Sequence, residues 1–167
     1  LLYRPDAPAG AQYVPIGLAV GGYGKDLSDR DANGDVVGVA TNSWLLPRKY
    51  ETRTDEVTIL PTFDRTSNNA QAFAFSVNAD GFVVGQADNI PAIWLPNGEI
   101  SRIPGWPKTK KADGRAYGIN DRGEICIRSY YLGAMFYSPE AGLIDITANL
   151  VNPELIPEGY SLDLVWL

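Results

Sequence analysis

One short phrase recurs three times in this chain, and its spacing constrains the fold more than any other feature. The copies are "LSDRDANGDV" at Leu27–Val36, "AFSVNADGFV" at Ala74–Val83 and "AYGINDRGEI" at Ala116–Ile125. Their turn glycines, at 34, 81 and 123, lie 47 and 42 residues apart. A period in the forties is the length of one blade of a β-propeller or of a comparable repeat unit.

The rest of the chain follows the same period, so we treat residues 1–167 as a single repeat domain. The predicted units are a partial unit 1–24, three complete units 25–71, 72–114 and 115–158, and a partial unit 159–167. Because the chain holds about four blades' worth of sequence between two partial units, two arrangements are open. The chain is either a fragment of a larger propeller, or a small ring closed by a composite blade from Gly159–Leu167 and Leu1–Ile16.

Within one unit the hydrophobic pattern predicts four strands. In the second complete unit these are Ala72–Asn78, Phe82–Ala87, Ala92–Leu95 and Glu99–Ile103. The dipeptides Asp80-Gly81 and Asn97-Gly98 predict type I′ hairpin turns, in which both central residues have positive φ. Each unit is therefore predicted to be a four-stranded antiparallel meander, and the fold class is all-β.

Composition narrows the class of protein. The 17 Gly and 12 Pro residues favour many short strands joined by turns. A net charge of −6 argues against nucleic acid as a partner, because a phosphate backbone requires clustered cations. The chain has no apolar run of the length that a membrane-spanning helix needs. It has no histidine, which excludes the usual Ser-His and Cys-His catalytic pairs.

The repeated motifs resemble the HAF family of extracellular repeat proteins. The family phrase Ala-x-x-Ile-Asn-Asp-x-Gly is similar to Ala116–Gly123, and its later aromatic segment and glycine turn are similar to "PAIWLPNGEI" at Pro91–Ile100. The resemblance covers nearly the whole chain. It implies a β-propeller-like protein that is extracellular, periplasmic or attached to the cell surface, and it supplies no catalytic residues.

Several recurring residues are predicted to be structural. Asn78 and Asn120 each precede a turn glycine by three residues, where an Asn side chain bonds backbone groups of the turn. Trp44, Trp94 and Phe136 are predicted as equivalent core aromatics of the third strand of each unit.

Two further positions are interpreted in the same way. Gly85, in a predicted second strand, indicates a close backbone approach or a bulge. Cys126, the only cysteine, is predicted to be a structural thiol on the opposite face from Ile125 and Ile127.

One acidic loop matches the start of a calcium-binding loop. Asp29, Asp31, Asn33 and Asp35 alternate around Gly34 as oxygen ligands do in such loops, but Ala40 stands where a bidentate Glu is expected. The favoured interpretation is a hairpin turn rich in Asp and Asn, with calcium as the alternative. No other cofactor is predicted.

The sequence favours a non-enzymatic module that presents a protein- or glycan-binding surface. The predicted binding residues are Arg128, Tyr130 and Tyr131, because arginine and tyrosine contribute strongly to interfaces. One alternative is a hydrolase or lyase with an acidic site in the propeller channel. Another is a structural element that assembles with copies of itself through open β edges.

Overall fold

The structure, a computed structural model, describes residues 2–3, 9, 13–14, 27–30, 36–38, 47–51, 56–64, 71–109 and 113–149. The side chains it describes within strands and turns are mainly those of residues 47–49, 57–64, 71–109 and 113–149. In this part of the chain the regular structure consists of 14 β-strands and one 3-10 helix, Thr147–Asn149. The predicted all-β class is therefore confirmed.

The strands form one short hairpin and three four-stranded antiparallel sheets. The hairpin is β1 (Leu2–Tyr3) with β2 (Tyr13–Val14). The first sheet contains β3 (Leu27–Arg30), β4 (Val36–Gly38), β5 (Arg48–Glu51) and β6 (Glu56–Ile59). The second contains β7 (Ala72–Val77), β8 (Val83–Ala87), β9 (Ile90–Trp94) and β10 (Ile100–Arg102). The third contains β11 (Gly114–Ile119), β12 (Ile125–Ser129), β13 (Gly133–Ser138) and β14 (Gly142–Asp145).

Within each sheet the strands neighbour one another in chain order, so every unit is the predicted meander. The four strands predicted for the second unit agree with the structure to within two residues at each end.

A β-bulge recurs at one position of the first strand in all three sheets. In each case one residue is skipped between two ladder pairs, and the skipped residues are Ser28, Phe75 and Tyr117. They lie 47 and 42 residues apart, which is the spacing of the turn glycines. The same irregularity of strand pairing therefore recurs in all three four-stranded sheets.

Neighbouring sheets pack on one another through these first strands. Each first strand lies at one edge of its sheet; β7 contacts β3 and β4, and β11 contacts β7, β8 and β9. The first apolar core joins Leu60, which follows β6, to one face of the second sheet, including Trp94. The second core joins Val84, on the opposite face of the second sheet, to Ile125 and Ile127 of the third. The second sheet thus buries both faces, and stability comes from the stacking of units.

The hairpin turns differ from the predicted type. The backbone carbonyl of Asn78 accepts a hydrogen bond from the N–H of Gly81. Gly81 has φ of 83°, whereas the φ of Asp80 is not positive. Asn120 and Gly123 form the same turn in the third sheet, with φ of 74° at the glycine. The type I′ prediction for Asp80-Gly81 is wrong, because the Asn78 side chain bonds two N–H groups of the turn and stabilises a wider loop in which only the glycine has positive φ. The same prediction for Asn97-Gly98 is also wrong, since Gly98 has φ of 84° and Asn97 has no positive φ.

A type I′ turn is present elsewhere, between β8 and β9. Asp88 and Asn89 have φ of 50° and 65°, and they are the only described non-glycine residues with positive φ. Asn and Asp adopt this conformation more readily than other non-glycine residues.

The predicted set of equivalent aromatics is also corrected by the register. Val83 pairs with Trp94, and its counterparts Val36 and Ile125 pair with Tyr50 and Tyr137. Tyr137 is therefore the counterpart of Trp94, and Phe136 is shifted by one residue to the other face of the sheet. The predicted burial of Trp94 is confirmed, since it is 0% exposed and its Nε1 donates to the carbonyl of Pro61 at 2.8 Å. Trp44 lies outside the described residues.

Gly85 and Cys126 behave as predicted. A Cβ on Gly85 would lie 1.9 Å from the carbonyl oxygen of Phe73, opposite the bulge, so only glycine permits this approach. Cys126 is buried, and its Sγ lies 3.8 Å from the carbonyl oxygen of Gly118.

Candidate binding surface

The loop between β12 and β13 brings the predicted binding residues together. The hydroxyl oxygen of Ser129 accepts hydrogen bonds from the backbone N–H groups of Tyr131 at 3.2 Å and Leu132 at 3.1 Å. Gly133 closes the loop with φ of 75°. The local sequence therefore fixes the backbone that carries both tyrosines.

The two tyrosine side chains project into solvent. Tyr130 is 62% exposed and Tyr131 is 64% exposed. The guanidinium carbon of Arg128 lies 5.9 Å from the centroid of the Tyr130 ring, a distance at which a cation attracts an aromatic face. We call these three residues, Arg128, Tyr130 and Tyr131, the tyrosine surface.

The equivalent loop of the second sheet, between β8 and β9, has a structural role. Its Asp88 carboxylate accepts hydrogen bonds from the backbone N–H groups of Asp64 at 3.0 Å and Gln71 at 3.3 Å. These bonds hold the two ends of the connection between the first and second sheets. The loop of the third sheet departs from this role and carries two exposed rings instead, although the strands on either side are equivalent.

A row of stacked aromatic rings, which was not predicted from the sequence, lies where the edge strands β7 and β11 of the second and third sheets meet. The rings of Phe73 and Phe75 are stacked with centroids 6.3 Å apart, and Phe75 stacks on Tyr117 at 5.3 Å. Phe75 and Tyr117 are the bulged residues of their strands. In the sequence, the signal for this row was the aromatic residue that follows both Ala74 and Ala116. The contact between the two rings, however, depends on the bulge.

A cleft of 220 Å³ lies between the first and second sheets. Lys49 and Thr58 line it from the first sheet, and Val83, Leu95 and Asn97 line it from the second. Among the described residues that line the cleft, Lys49 carries the one charged side chain.

The described residues contain one carboxyl group with a clear pKa shift. The side-chain amide of Asn120 donates to Glu124 at 2.6 Å, and the Arg122 guanidinium lies 2.6 Å from the same oxygen. Together these donors lower the pKa of Glu124 below its ordinary value of 4.5. A general acid requires a shift in the other direction.

The predicted calcium ligands are mostly outside the described residues. Asp29 lies in β3, but Asp31, Asn33 and Asp35 belong to the part of the chain that the structure does not describe. Where the structure describes the chain, it places no three or more His, Cys, Asp or Glu side chains so that they could hold a metal ion. Calcium binding by this loop therefore stays a prediction.

Comparison with models of known protein families, with curated proteins and with solved structures found no match. Across the described residues, no helix has the length and apolar character needed to cross a membrane.

Proposed function

We propose that this chain is a non-enzymatic module of a β-propeller-type repeat array, similar to HAF repeats, and that it binds a glycan or protein ligand through the tyrosine surface. The observation that carries the proposal is the exposure of Tyr130 and Tyr131, 62% and 64%, on a loop whose backbone is fixed by Ser129. The proposed location is extracellular, periplasmic or at the cell surface, as the HAF resemblance implies.

The packing of the sheets supports the propeller part of the proposal. Three four-stranded meanders contact one another through first strands that lie along a common edge. In a propeller the first strands of the blades lie nearest the axis, and the remaining strands extend outward.

A glycan fits the tyrosine surface better than a protein does. A stable protein interface buries about 800 Å² on each partner, which is far more than two tyrosines can contribute. A sugar ring needs one aromatic face and a few hydrogen-bond donors, and Arg128 places a guanidinium beside Tyr130. Because guanidinium groups match the geometry of carboxylates, a glycan that contains uronic acids is the favoured ligand class.

A glycan array tests the proposal. It should carry neutral cello- and xylo-oligosaccharides beside oligosaccharides of galacturonic and mannuronic acid, with a peptide array probed in parallel. We expect the chain to be retained on the acidic sugars and the Tyr130→Ser/Tyr131→Ser variant to lose that retention. Retention on peptides alone would favour the protein ligand, and equal retention of the variant would contradict the proposed surface.

A further inference from the structure

Two arginines face each other across the first two strands of the third sheet. Arg115 of β11 pairs directly with Arg128 of β12, which belongs to the tyrosine surface. Directly opposite residues of an antiparallel pair lie on the same face, with their Cβ atoms about 5 Å apart. The next ladder pair, Ala116 with Ile127, belongs to the second core, so the two arginines lie on the other face of the sheet. We call Arg115 and Arg128 the arginine pair.

The equivalent pair of the second sheet carries no charge. Its members are Phe73 and Gln86, each 42 residues before its counterpart. Like charges directly opposite one another destabilise a β-sheet. The repeat therefore does not require the two cations, and their placement costs stability unless an anion lies beside them.

Arg115 has no partner in the protein that offsets its charge. Within the described part of the chain it is half-buried and forms no ion pair, and its Nε is buried without a hydrogen-bond partner. Asp113 lies two residues earlier but does not pair with it, and the Oδ1 atom of Asp113 is also without a hydrogen-bond partner. Guanidinium groups bind carboxylates and other oxyanions through two parallel hydrogen bonds. An external oxyanion is therefore the partner that suits Arg115.

We propose that the arginine pair binds an oxyanion of the ligand, and that Arg115 thereby selects acidic glycans over neutral ones. The inference rests on the proposed function, since Tyr130 and Tyr131 contact the sugar while the arginine pair holds its acidic group. The guanidinium carbon of Arg128 lies 5.9 Å from the centroid of the Tyr130 ring, so a sugar bound at the tyrosines has its acidic group beside the pair. The oxyanion is the carboxylate of a uronic acid or a sulfate ester, because both match the fork of a guanidinium.

NMR of the nitrogen-15-labelled full chain tests the arginine pair without relying on the tyrosines. The Nε–H signals of the arginines are followed while sodium galacturonate or sodium sulfate is added at constant ionic strength, and Arg115→Gln assigns the signal of Arg115. We expect a saturable shift of that signal. The matched control is Arg102, a half-buried arginine of β10 whose guanidinium carbon lies 5.3 Å from the ring centroid of Phe63, and its signal should show no saturable shift.

The two anions distinguish the two sources of the oxyanion. Saturation by galacturonate supports the site and a uronic acid, whereas saturation by sulfate alone supports the site and a sulfate ester. The absence of a saturable shift with either anion, or equal shifts at Arg102 and Arg115, would overturn the site.

Calorimetry with trigalacturonate separates this inference from the proposed function. Arg115→Gln should weaken binding by about tenfold or more, because a hydrogen-bonded charge is lost. Arg102→Gln removes the same charge from the second sheet and should leave the affinity unchanged. The methyl ester of trigalacturonate carries no charge, and its affinity should be the same for the wild type and Arg115→Gln.

The variants fail in different ways for the two proposals. Loss of binding in Tyr130→Ser/Tyr131→Ser together with full affinity in Arg115→Gln would overturn the inference and leave the proposed function standing. Loss of binding in Arg115→Gln together with full affinity in the tyrosine variant would support the arginine pair and contradict the tyrosine surface. Equal losses in Arg115→Gln and Arg102→Gln would indicate an effect of net charge alone and would overturn the inference.

Discussion

The side-chain amide of Asn78 donates a hydrogen bond of 3.3 Å to the backbone carbonyl of Asn120, its own counterpart one repeat later. Beside it, the backbone N–H of Ala79 donates to the carboxylate of Asp121 at 2.8 Å. The Asn78 side chain also closes its own turn by accepting from the N–H groups of Asp80 and Phe82. One buried asparagine therefore stabilises both a hairpin and the junction between two sheets.

Asn78→Ala should lower the free energy of unfolding by about 2 to 3 kcal/mol, because three partly buried backbone groups in two turns lose the hydrogen bonds of the Asn78 side chain. Asn97 provides a matched control, since it is exposed and its side chain accepts a single hydrogen bond, from the N–H of Glu99. Asn97→Ala should cost less than about 1 kcal/mol. Urea denaturation measures both values, and similar losses would show that the contact with Asn120 contributes nothing.

Gly85→Ala should destabilise the fold by about 3 kcal/mol or more, because the new Cβ would collide with the backbone of β7. The closest atom is the carbonyl oxygen of Phe73, 1.9 Å from the ideal Cβ position. Gly98→Ala separates this collision from backbone strain, since Gly98 has φ of 84° but no atom within 4 Å of its Cβ position. It should cost about 1 kcal/mol. An equal or smaller loss for Gly85→Ala, measured by thermal unfolding, would contradict the close approach at the bulge.

Glu124 should make stability depend on pH in the acidic range. Its pKa is lowered in the folded state by Asn120 and Arg122, so its stabilising effect is complete above the unfolded pKa and is lost as the pH falls toward the folded pKa. The unfolding free energy of the wild type should therefore fall more steeply below pH 4.5 than that of Glu124→Gln.

Arg122→Gln should retain part of this dependence, because the hydrogen bond from the Asn120 amide stays in place. Denaturation at a series of pH values provides the comparison. Parallel profiles for the wild type and Glu124→Gln would show that the two donors do not stabilise the Glu124 carboxylate in the folded state.

The repeat could be predicted from sequence because its signals are local. Asn78 and Asn120 stand at fixed offsets from their glycines, and alternation in residues 72–103 placed the four strands of the second unit correctly. The turn type was mistaken, because the dipeptide preference did not include the hydrogen bonds that Asn78 donates and accepts across the turn. The counterpart of Trp94 was mistaken by one residue, because strand pairing and not motif order determines that Tyr137 occupies its place.

The binding residues were predicted from the sequence, and binding by them stays a prediction. Arg128, Tyr130 and Tyr131 were chosen by residue type, but only the structure shows that the two tyrosines are exposed and that Ser129 fixes the loop that carries them. The stacked row of Phe73, Phe75 and Tyr117 depends on a bulge and on contact between two sheets, and neither is encoded by a local pattern.

The most direct test of the proposed function is the affinity of the chain for an oligosaccharide of galacturonic acid, measured by calorimetry. Tyr130→Ser/Tyr131→Ser should weaken binding by about tenfold or more, because aromatic anchors dominate such contacts. The matched control is Val57→Ser/Ile59→Ser, which removes side chains that are 38% and 55% exposed on β6. Unchanged affinity in the control together with the loss in the tyrosine variant would support binding at the tyrosine surface, and equal affinities for all three proteins would contradict it.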